Sequence, residues 1–329
     1  MSLENFNEVL NNLKLDAKCI NLVDNPSSTF FHIELGKKCS LKKFSSSIKE
    51  IEFRLKCSTP LFMQIVPNQG VIEIQKVKDQ LPELNFNSLY QKYSGKCPVV
   101  LGLDYQDNVV HSDFSQHPHT LIAGSTGSGK SNALHNIICN LLKNNKSQLF
   151  LSDSKGVEFS FYKKFEKVKK IVTTYEENVD MLDFLNYTME SRFDVIKMYN
   201  CQKYDQVFKM DPILVVIDEI ADLILQDKND KFKKSLLSLS QKSRAAGIFI
   251  VAATQRPSVD ILSGTIKANF PARIALKTAS SIDSKVILDQ PGAELLKGKG
   301  DAIINNDKYH YIRFRFPFIN PAEAIKDLR

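Results

Sequence analysis

The stretch HTLIAGSTGSGKSNALHNIICNLL, residues 119–142, constrains the fold of this chain more than any other. A short apolar run meets a loop of glycines and hydroxyls, then Gly129-Lys130-Ser131, and a helical pattern begins at once. Leu134, Ile137, Ile138, Leu141 and Leu142 recur at the spacing of one helical face, so this segment reads as strand, loop and amphipathic helix. Residues 124–131 fit G-x-x-x-x-G-K-[ST]. Glycine brings no Cβ, so backbone N–H groups there can curl around a phosphate, and the helix N-terminus favours the anion. A glycine-rich turn could match by accident, but both flanks are right for the motif. Gly124, Ser125, Thr126, Gly127, Ser128, Gly129, Lys130 and Ser131 are therefore the candidate nucleotide-binding residues. Lys130 is expected to reach the β- and γ-phosphates, and the Ser131 hydroxyl to ligate Mg²⁺.

A βα start of this kind needs further strands beside it. From about residue 98, apolar runs at 98–103, 119–123, 148–152, 212–217, 247–253 and 271–277 alternate with helical patterns at 129–143, 175–199, 229–246 and 261–268. ILVVI and GIFIVAA are apolar on both faces, as strands covered by helices on two sides must be. The expected fold class is α/β, a phosphate-loop domain with a mostly parallel sheet.

Two of these strands end in residues suited to phosphate chemistry. ILVVIDEI, residues 213–220, ends in Asp218-Glu219. An aspartate at that tip can hold Mg²⁺ beside Ser131, and the glutamate can act as general base on the attacking water. The alternative use of Asp-Glu is a helix cap and first-turn acid. After GIFIVAA come Thr254 and Gln255, placed where a γ-phosphate sensor would sit or where a strand is simply capped. Arg273 opens the following strand. Its guanidinium either reaches a phosphate bound by a neighbouring subunit or makes a surface ion pair.

Residues 1–95 have another texture. TFFHIEL reads as a strand, and residues 40–56 read as one helix with Leu41, Phe44, Ile48, Ile51 and Leu55 on a face. PLFMQIVP and VIEIQKV read as a hairpin turning at Asn68-Gln69-Gly70. The expected domains are 1–97, a small α+β scaffold, and 98–329, the nucleotide-binding domain.

Composition narrows the rest. The 329 residues are 43% hydrophobic and 25% charged, ordinary for a globular chain. No run of about 18 apolar residues is present, so no membrane segment is expected, and the N-terminus lacks an h-region. The six cysteines show no metal-binding spacing, which leads us to expect no zinc site and a reduced, cytoplasmic chain. The net charge of +7 suits a polyanionic partner without requiring one.

LIAGSTGSGKS, LFLSDSKGVEFS, ILVVIDEIADLI, SRAAGIFIVAATQRPSVDILSGTIKANFPARIAL and SSIDSKVILDQPGAELLKGKGDAI together resemble the FtsK/SpoIIIE family of DNA translocases, over about residues 98–306. The N-terminal residues are similar in layout to that family's α subdomain. The resemblance implies a RecA-like motor domain forming a hexameric ring around double-stranded DNA, driven by ATP with Mg²⁺. It implies catalytic roles for Lys130, Asp218 and Glu219, a sensor role for Gln255, and a trans arginine finger in Arg273, with Arg244 as rival. Lys285, Lys297 and Lys299 correspond to pore-lining segments and are the implied DNA contacts. Two departures are expected: no membrane anchor before the motor and no winged-helix domain after it. Related ring ATPases move protein or nucleoprotein cargo, which is the alternative reading. A nucleotide-gated scaffold that does not move is a third, weakened by the complete catalytic set.

Overall fold

The computed structural model describes residues 2–66, 70–89, 95–144, 146–324 and 326. It divides into two units, Met1–Glu83 with Tyr105–Asn108, and Leu84–Asp104 with Val109–Arg329.

In the smaller unit, α1 (Leu3–Asn12) starts at Ser2, whose hydroxyl accepts from Asn5 N–H, a standard N-cap. Then come β1 (Ala17–Asp24), β2 (Ser28–Leu35), α2 (Leu41–Ser46), α3 (Ile48–Arg54), β3 (Phe62–Val66) and β4 (Val71–Val77). The four strands form an antiparallel sheet in the order β1-β2-β4-β3. Phe6 stacks on Phe31 at 4.5 Å between ring centroids, within a core that includes Leu10, Ile33, Phe44, Ile51 and Ile74.

The single helix expected over residues 40–56 is two short helices. Ser47 is at once the C-cap of α2 and the N-cap of α3. The hydroxyls of Ser45, Ser46 and Ser47 donate back to the carbonyls of Lys42 and Lys43, a local competitor to the helical ladder. Phe44, Ile51 and Leu55 are buried, but Leu41 is exposed. At the expected hairpin, Val66 and Val71 pair across the turn; Asn68 and Gln69 lie outside the described residues.

The domain boundary falls at residue 83 rather than 97. Phe86 and Cys97 belong to the core of the larger unit. Tyr105–Asn108, a turn between two strands of that unit, belongs to the smaller one: the Tyr105 carbonyl accepts from Ser28 Oγ at 3.0 Å and its ring packs with Phe30 and Val77.

The larger unit begins with α4 (Phe86–Leu89), β5 (Pro98–Asp104) and β6 (Val109–Asp113), then β7 (Thr120–Ala123), α5 (Lys130–Asn144), β8 (Gln148–Ser152), β9 (Val168–Val172) and α6 (Tyr175–Met198). After it come β10 (Ile213–Ile217), α7 (Ile220–Gln226), α8 (Lys231–Lys242), β11 (Ile248–Thr254), α9 (Gly264–Asn269) and β12 (Ala272–Leu276). The unit closes with α10 (Ser281–Leu288), β13 (Asp301–Asn305), β14 (Ile312–Arg315) and α11 (Pro321–Ala324). All six expected strands are present. So are the four expected helices, with α8 shorter at both ends. The Asp227 carboxylate accepts from the N–H groups of Phe232 and Lys233, and Arg244–Gly247 close a turn ahead of β11.

One ten-stranded sheet runs β6-β5-β14-β13-β12-β7-β11-β10-β8-β9. From β12 to β9 all neighbours are parallel; β13, β14, β5 and β6 extend it antiparallel. The fold is thus α/β with a mostly parallel sheet, and β7 lies inside the parallel part. In register, Ala123 pairs with Thr254, and Ile217 pairs with both Ala252 and Ser152. The carboxyl ends of β7, β11, β10 and β8 therefore lie side by side, where open α/β sheets bind ligands.

Candidate nucleotide site

The loop at residues 124–129 leaves the end of β7 and turns into α5. Its first residues are tied to neighbouring strands: Gly124 N–H donates to Thr254 O at 3.2 Å and Ser125 N–H to Lys277 O at 2.8 Å. Gly129 has φ +106, and a Cβ there would stand 2.4 Å from the backbone nitrogen of Gly300. Only glycine meets both conditions. The segment Gly298-Lys299-Gly300 lies directly against the loop, and Gly300 N–H donates to Ser128 O at 2.9 Å. Behind the loop, Asn132 fastens α5 through Pro317 O and Ile319 N–H.

Lys130 and Asp218 meet beneath this loop. The ammonium lies 2.5 Å from Asp218 Oδ1 and 2.6 Å from its carbonyl. The two residues are 4% and 2% exposed. Glu219 is 6% exposed and caps α7 through Ala221 N–H. Its carboxylate also accepts from Thr254 Oγ1 at 2.6 Å and from Gln255 N–H at 2.9 Å. Cap and site are therefore the same residue. The Gln255 amide oxygen accepts from Thr126 Oγ1 at 2.8 Å, joining the third strand to the phosphate loop. Lys130, Ser131, Asp218, Glu219, Thr254 and Gln255 thus converge at the strand ends.

Three residues of this site went unremarked in the sequence. Asp153 follows the buried strand β8 as Asp218 follows β10, and that parallel was the available signal. Its fully buried carboxylate accepts from Gly156 N–H and Phe159 N–H at 2.9 and 2.8 Å. Glu158, in the loop so held, accepts from Ser131 Oγ at 3.0 Å. Its other oxygen is 3.5 Å from His135 Nε2, one turn further along α5. Burial pushes His135 below the ordinary histidine range, and the Glu158 charge opposes that shift. Ser131, Asp218 and Glu158 offer only hard oxygen donors, which fit Mg²⁺ shared with phosphates and water. Among the described residues, no group of three His, Cys, Asp or Glu side chains could hold a metal by itself.

Of the other residues singled out in the sequence, Arg273, Arg244, Lys285 and Lys297 lie apart from that cluster, and Lys299 does not. Arg273 sits at the amino end of β12, opposite Leu121. Its guanidinium bonds the Asp289 carboxylate and carbonyls at Lys267, Phe270 and Ile287. Arg244 is exposed in the turn before β11 and donates to Gln116 O at 3.5 Å. Both arginines stand at the ends of their strands away from the phosphate loop. Lys285 is exposed on α10. Lys297 is half-buried, with its N–H on Asp301. Lys299, exposed at φ +52, is the exception, because its segment abuts the phosphate loop.

Fold and site together define a RecA-like phosphate-loop α/β domain. The family model for the FtsK/SpoIIIE family matches residues 81–211 and 205–259. The chain belongs to the FtsK/SpoIIIE family. A protein named DNA translocase FtsK from Clostridium acetobutylicum is 32% identical over 343 residues, covering 98% of this chain and 45% of that one. DNA translocase SftA from Bacillus subtilis is 31% identical over 335 residues, covering 95% and 35%. The chain spans less than half the length of these curated relatives. In fold it is similar to the pCW3 conjugation coupling protein TcpA, solved in its monomer form with ATPγS, at TM-score 0.69, 21% identity and 99% coverage of both chains. It is also similar to the cytoplasmic domain of the Thermomonospora curvata Type VII secretion ATPase EccC, at TM-score 0.61 and 22% identity over 72% of this chain and 30% of that one. Among the described residues, no helix is long and apolar enough to cross a membrane.

Proposed function

We propose that this chain is an ATPase motor that moves double-stranded DNA, largely without regard to sequence, as one subunit of a hexameric ring in the cytoplasm. The observation that carries the reading is the convergence of Lys130, Ser131, Asp218, Glu219 and Gln255 at the carboxyl ends of adjacent parallel strands. Family membership and relatives named as DNA translocases support the DNA cargo.

The chemistry follows from the residues. The phosphate loop offers backbone N–H groups, and Lys130 exchanges its contact with Asp218 for phosphate oxygens. Ser131 and Asp218 hold Mg²⁺, which neutralises charge on the phosphates when bound. Glu219, oriented by Thr254 Oγ1 and Gln255 N–H, takes a proton from water as its oxygen attacks the γ-phosphorus and ADP leaves. Gln255 touches Thr126 on the phosphate loop, so it is positioned to report the γ-phosphate. Lys285, Lys297 and Lys299 supply contacts to DNA phosphates. Neither Arg273 nor Arg244 faces its own phosphate loop, which favours an arginine acting on a neighbour's nucleotide.

The test has two arms. Double-stranded DNA of any sequence is expected to stimulate ATP hydrolysis, and ATP to drive displacement of the third strand from a DNA triplex. Glu219→Gln should bind ATP yet turn over about 10²–10⁴-fold more slowly, and Lys130→Ala should leave the triplex intact. A hydrolysis rate indifferent to DNA at low salt, together with an intact triplex, overturns the DNA reading in favour of protein or nucleoprotein cargo.

A further inference from the structure

We infer that Glu158 is a positioning residue for the metal of the nucleotide site, orienting the Ser131 hydroxyl and the water shell of the Mg²⁺ beside it. The inference rests on the nucleotide reading above and extends it to a residue outside the phosphate loop and the Asp218-Glu219 pair.

A serine that ligates a cation gives it an oxygen lone pair, and its proton must then point to an acceptor. Asp218 bonds Lys130 in this structure and, in the proposed loaded site, would be a ligand of the ion itself rather than the acceptor for that proton. Glu158 does: Ser131 Oγ donates to its Oε1 at 3.0 Å. The second oxygen is not idle, since His135 Nε2 lies 3.5 Å from it. The His135 ring is in turn within 2.8 Å of Tyr162 Oη through Nδ1. Ser131 and His135 are i and i+4 on α5, so one helix face presents both groups to the same carboxylate.

The loop that carries Glu158 is anchored on either side. The Asp153 carboxylate accepts from Gly156 N–H and Phe159 N–H, and the Phe159 side chain is fully buried. Gly156 takes φ +70, a left-handed turn that suits glycine. Glu158 is therefore a fixed acid whose side chain remains 29% exposed, open enough to meet metal-bound water. Glu219 is more heavily engaged: it accepts from Ala221 N–H and Thr254 Oγ1 on one oxygen and from Gln255 N–H on the other, which leaves one lone pair for water. Outer partners of this kind are worth about 10–100-fold in metal affinity.

The experiment titrates Mg²⁺ against binding of a fluorescent, non-hydrolysable ATP analogue to the full chain, with an EDTA arm for metal-free affinity. In Glu158→Gln and Glu158→Ala, metal-free affinity should stay within about twofold of the parent. The Mg²⁺ concentration for half-maximal tight binding should rise about tenfold in Glu158→Ala and by less in Glu158→Gln, which loses only the charge facing metal-bound water, and Glu158→Asp should recover part of it. The Gln variant keeps an acceptor for Ser131, so it stands if the Ala variant fails to fold. An unmoved Mg²⁺ midpoint in both variants overturns the inference, as does a lost turnover with unchanged Mg²⁺ dependence, which would make Glu158 a base instead. If the parent chain binds no nucleotide, the nucleotide reading itself falls and takes this one with it. Binding in the parent with an unmoved midpoint in the variants sinks this inference alone.

Discussion

Lys130 and Asp218 are each other's charge partner in a buried setting, so the usual substitution of the phosphate-loop lysine does two things at once. Lys130→Ala removes the group proposed to meet phosphate and leaves Asp218 buried without its cation. Breaking such a pair costs about 3–5 kcal/mol. We expect Lys130→Ala to lose nucleotide binding and to melt well below the parent. Lys130→Ala with Asp218→Asn should regain most of the melting temperature and none of the binding; equal melting of the single and double variants would count against the pair as a stability element. His119, just before β7, gives a second residue-scale expectation. Its ring is buried against Phe270, and neither nitrogen has a hydrogen-bond partner among the described residues. Burial, then the Arg244 charge, pushes its pKa down to about 4. The unfolded chain binds this proton near pH 6.5 and the folded chain only near 4. Stability from this site is thus full above pH 6.5, falls as pH drops from 6.5 to about 4, and is flat below. Thermal melts of the parent across that window should slope more steeply than those of His119→Asn, a residue that tolerates the local φ of +60. Parallel slopes would contradict this.

At the scale of elements, the phosphate loop and the turn before β13 act as one piece. Arg313 and Asp301 form a buried ion pair whose acid also accepts from Lys297 N–H, and this holds Gly300 against Gly129. Two glycines of the loop should therefore respond differently to the same change. At Gly127, φ +77 with open space around it, Ala brings only backbone strain of about 1 kcal/mol. At Gly129, the added Cβ also meets backbone at 2.4 Å, which no side-chain rotation relieves. Gly129→Ala should lose nucleotide affinity by far more than Gly127→Ala in parallel binding titrations, and should shift the melting temperature further. Similar losses in the two would mean that the turn before β13 yields easily.

For the molecule as a whole, the proposed ring predicts that subunits share a site. Arg273 is committed within its own chain to Asp289 and three carbonyls, so acting on a neighbour requires exchanging Asp289 for phosphate. Arg273→Ala is expected to bind nucleotide normally and to lose turnover. Mixed with Lys130→Ala subunits, it should recover measurable hydrolysis, because a mixed ring contains interfaces with both groups intact. No recovery at any ratio, with mixed rings demonstrated by native mass measurement, would leave Arg273 a structural partner of Asp289 and direct attention to Arg244. Contacts to DNA phosphates release counterions, so DNA stimulation in the same assay should fade as salt rises.

The amino-acid sequence alone determined the elements whose signals are local. A glycine loop between an apolar run and an amphipathic stripe can hardly be other than strand, phosphate loop and helix. The buried runs ILVVI and GIFIVAA mark parallel strands because both their faces must be covered. Acids at the tip of such a strand land beside the loop once the sheet is parallel. The tertiary structure alone decided what depends on distant partners. β14 pairs with β5 across most of the unit, and nothing in four residues of IRFR announces that register. Lys130 meets Asp218 across 88 positions and Ser131 meets Glu158 across 27, and no periodicity encodes either meeting. The helix over residues 40–56 broke because three serine hydroxyls compete with its ladder, while the apolar stripe suggested continuity. Local patterns carry burial and backbone geometry; which charged groups face one another is set only when the sheet brings the strand ends into line.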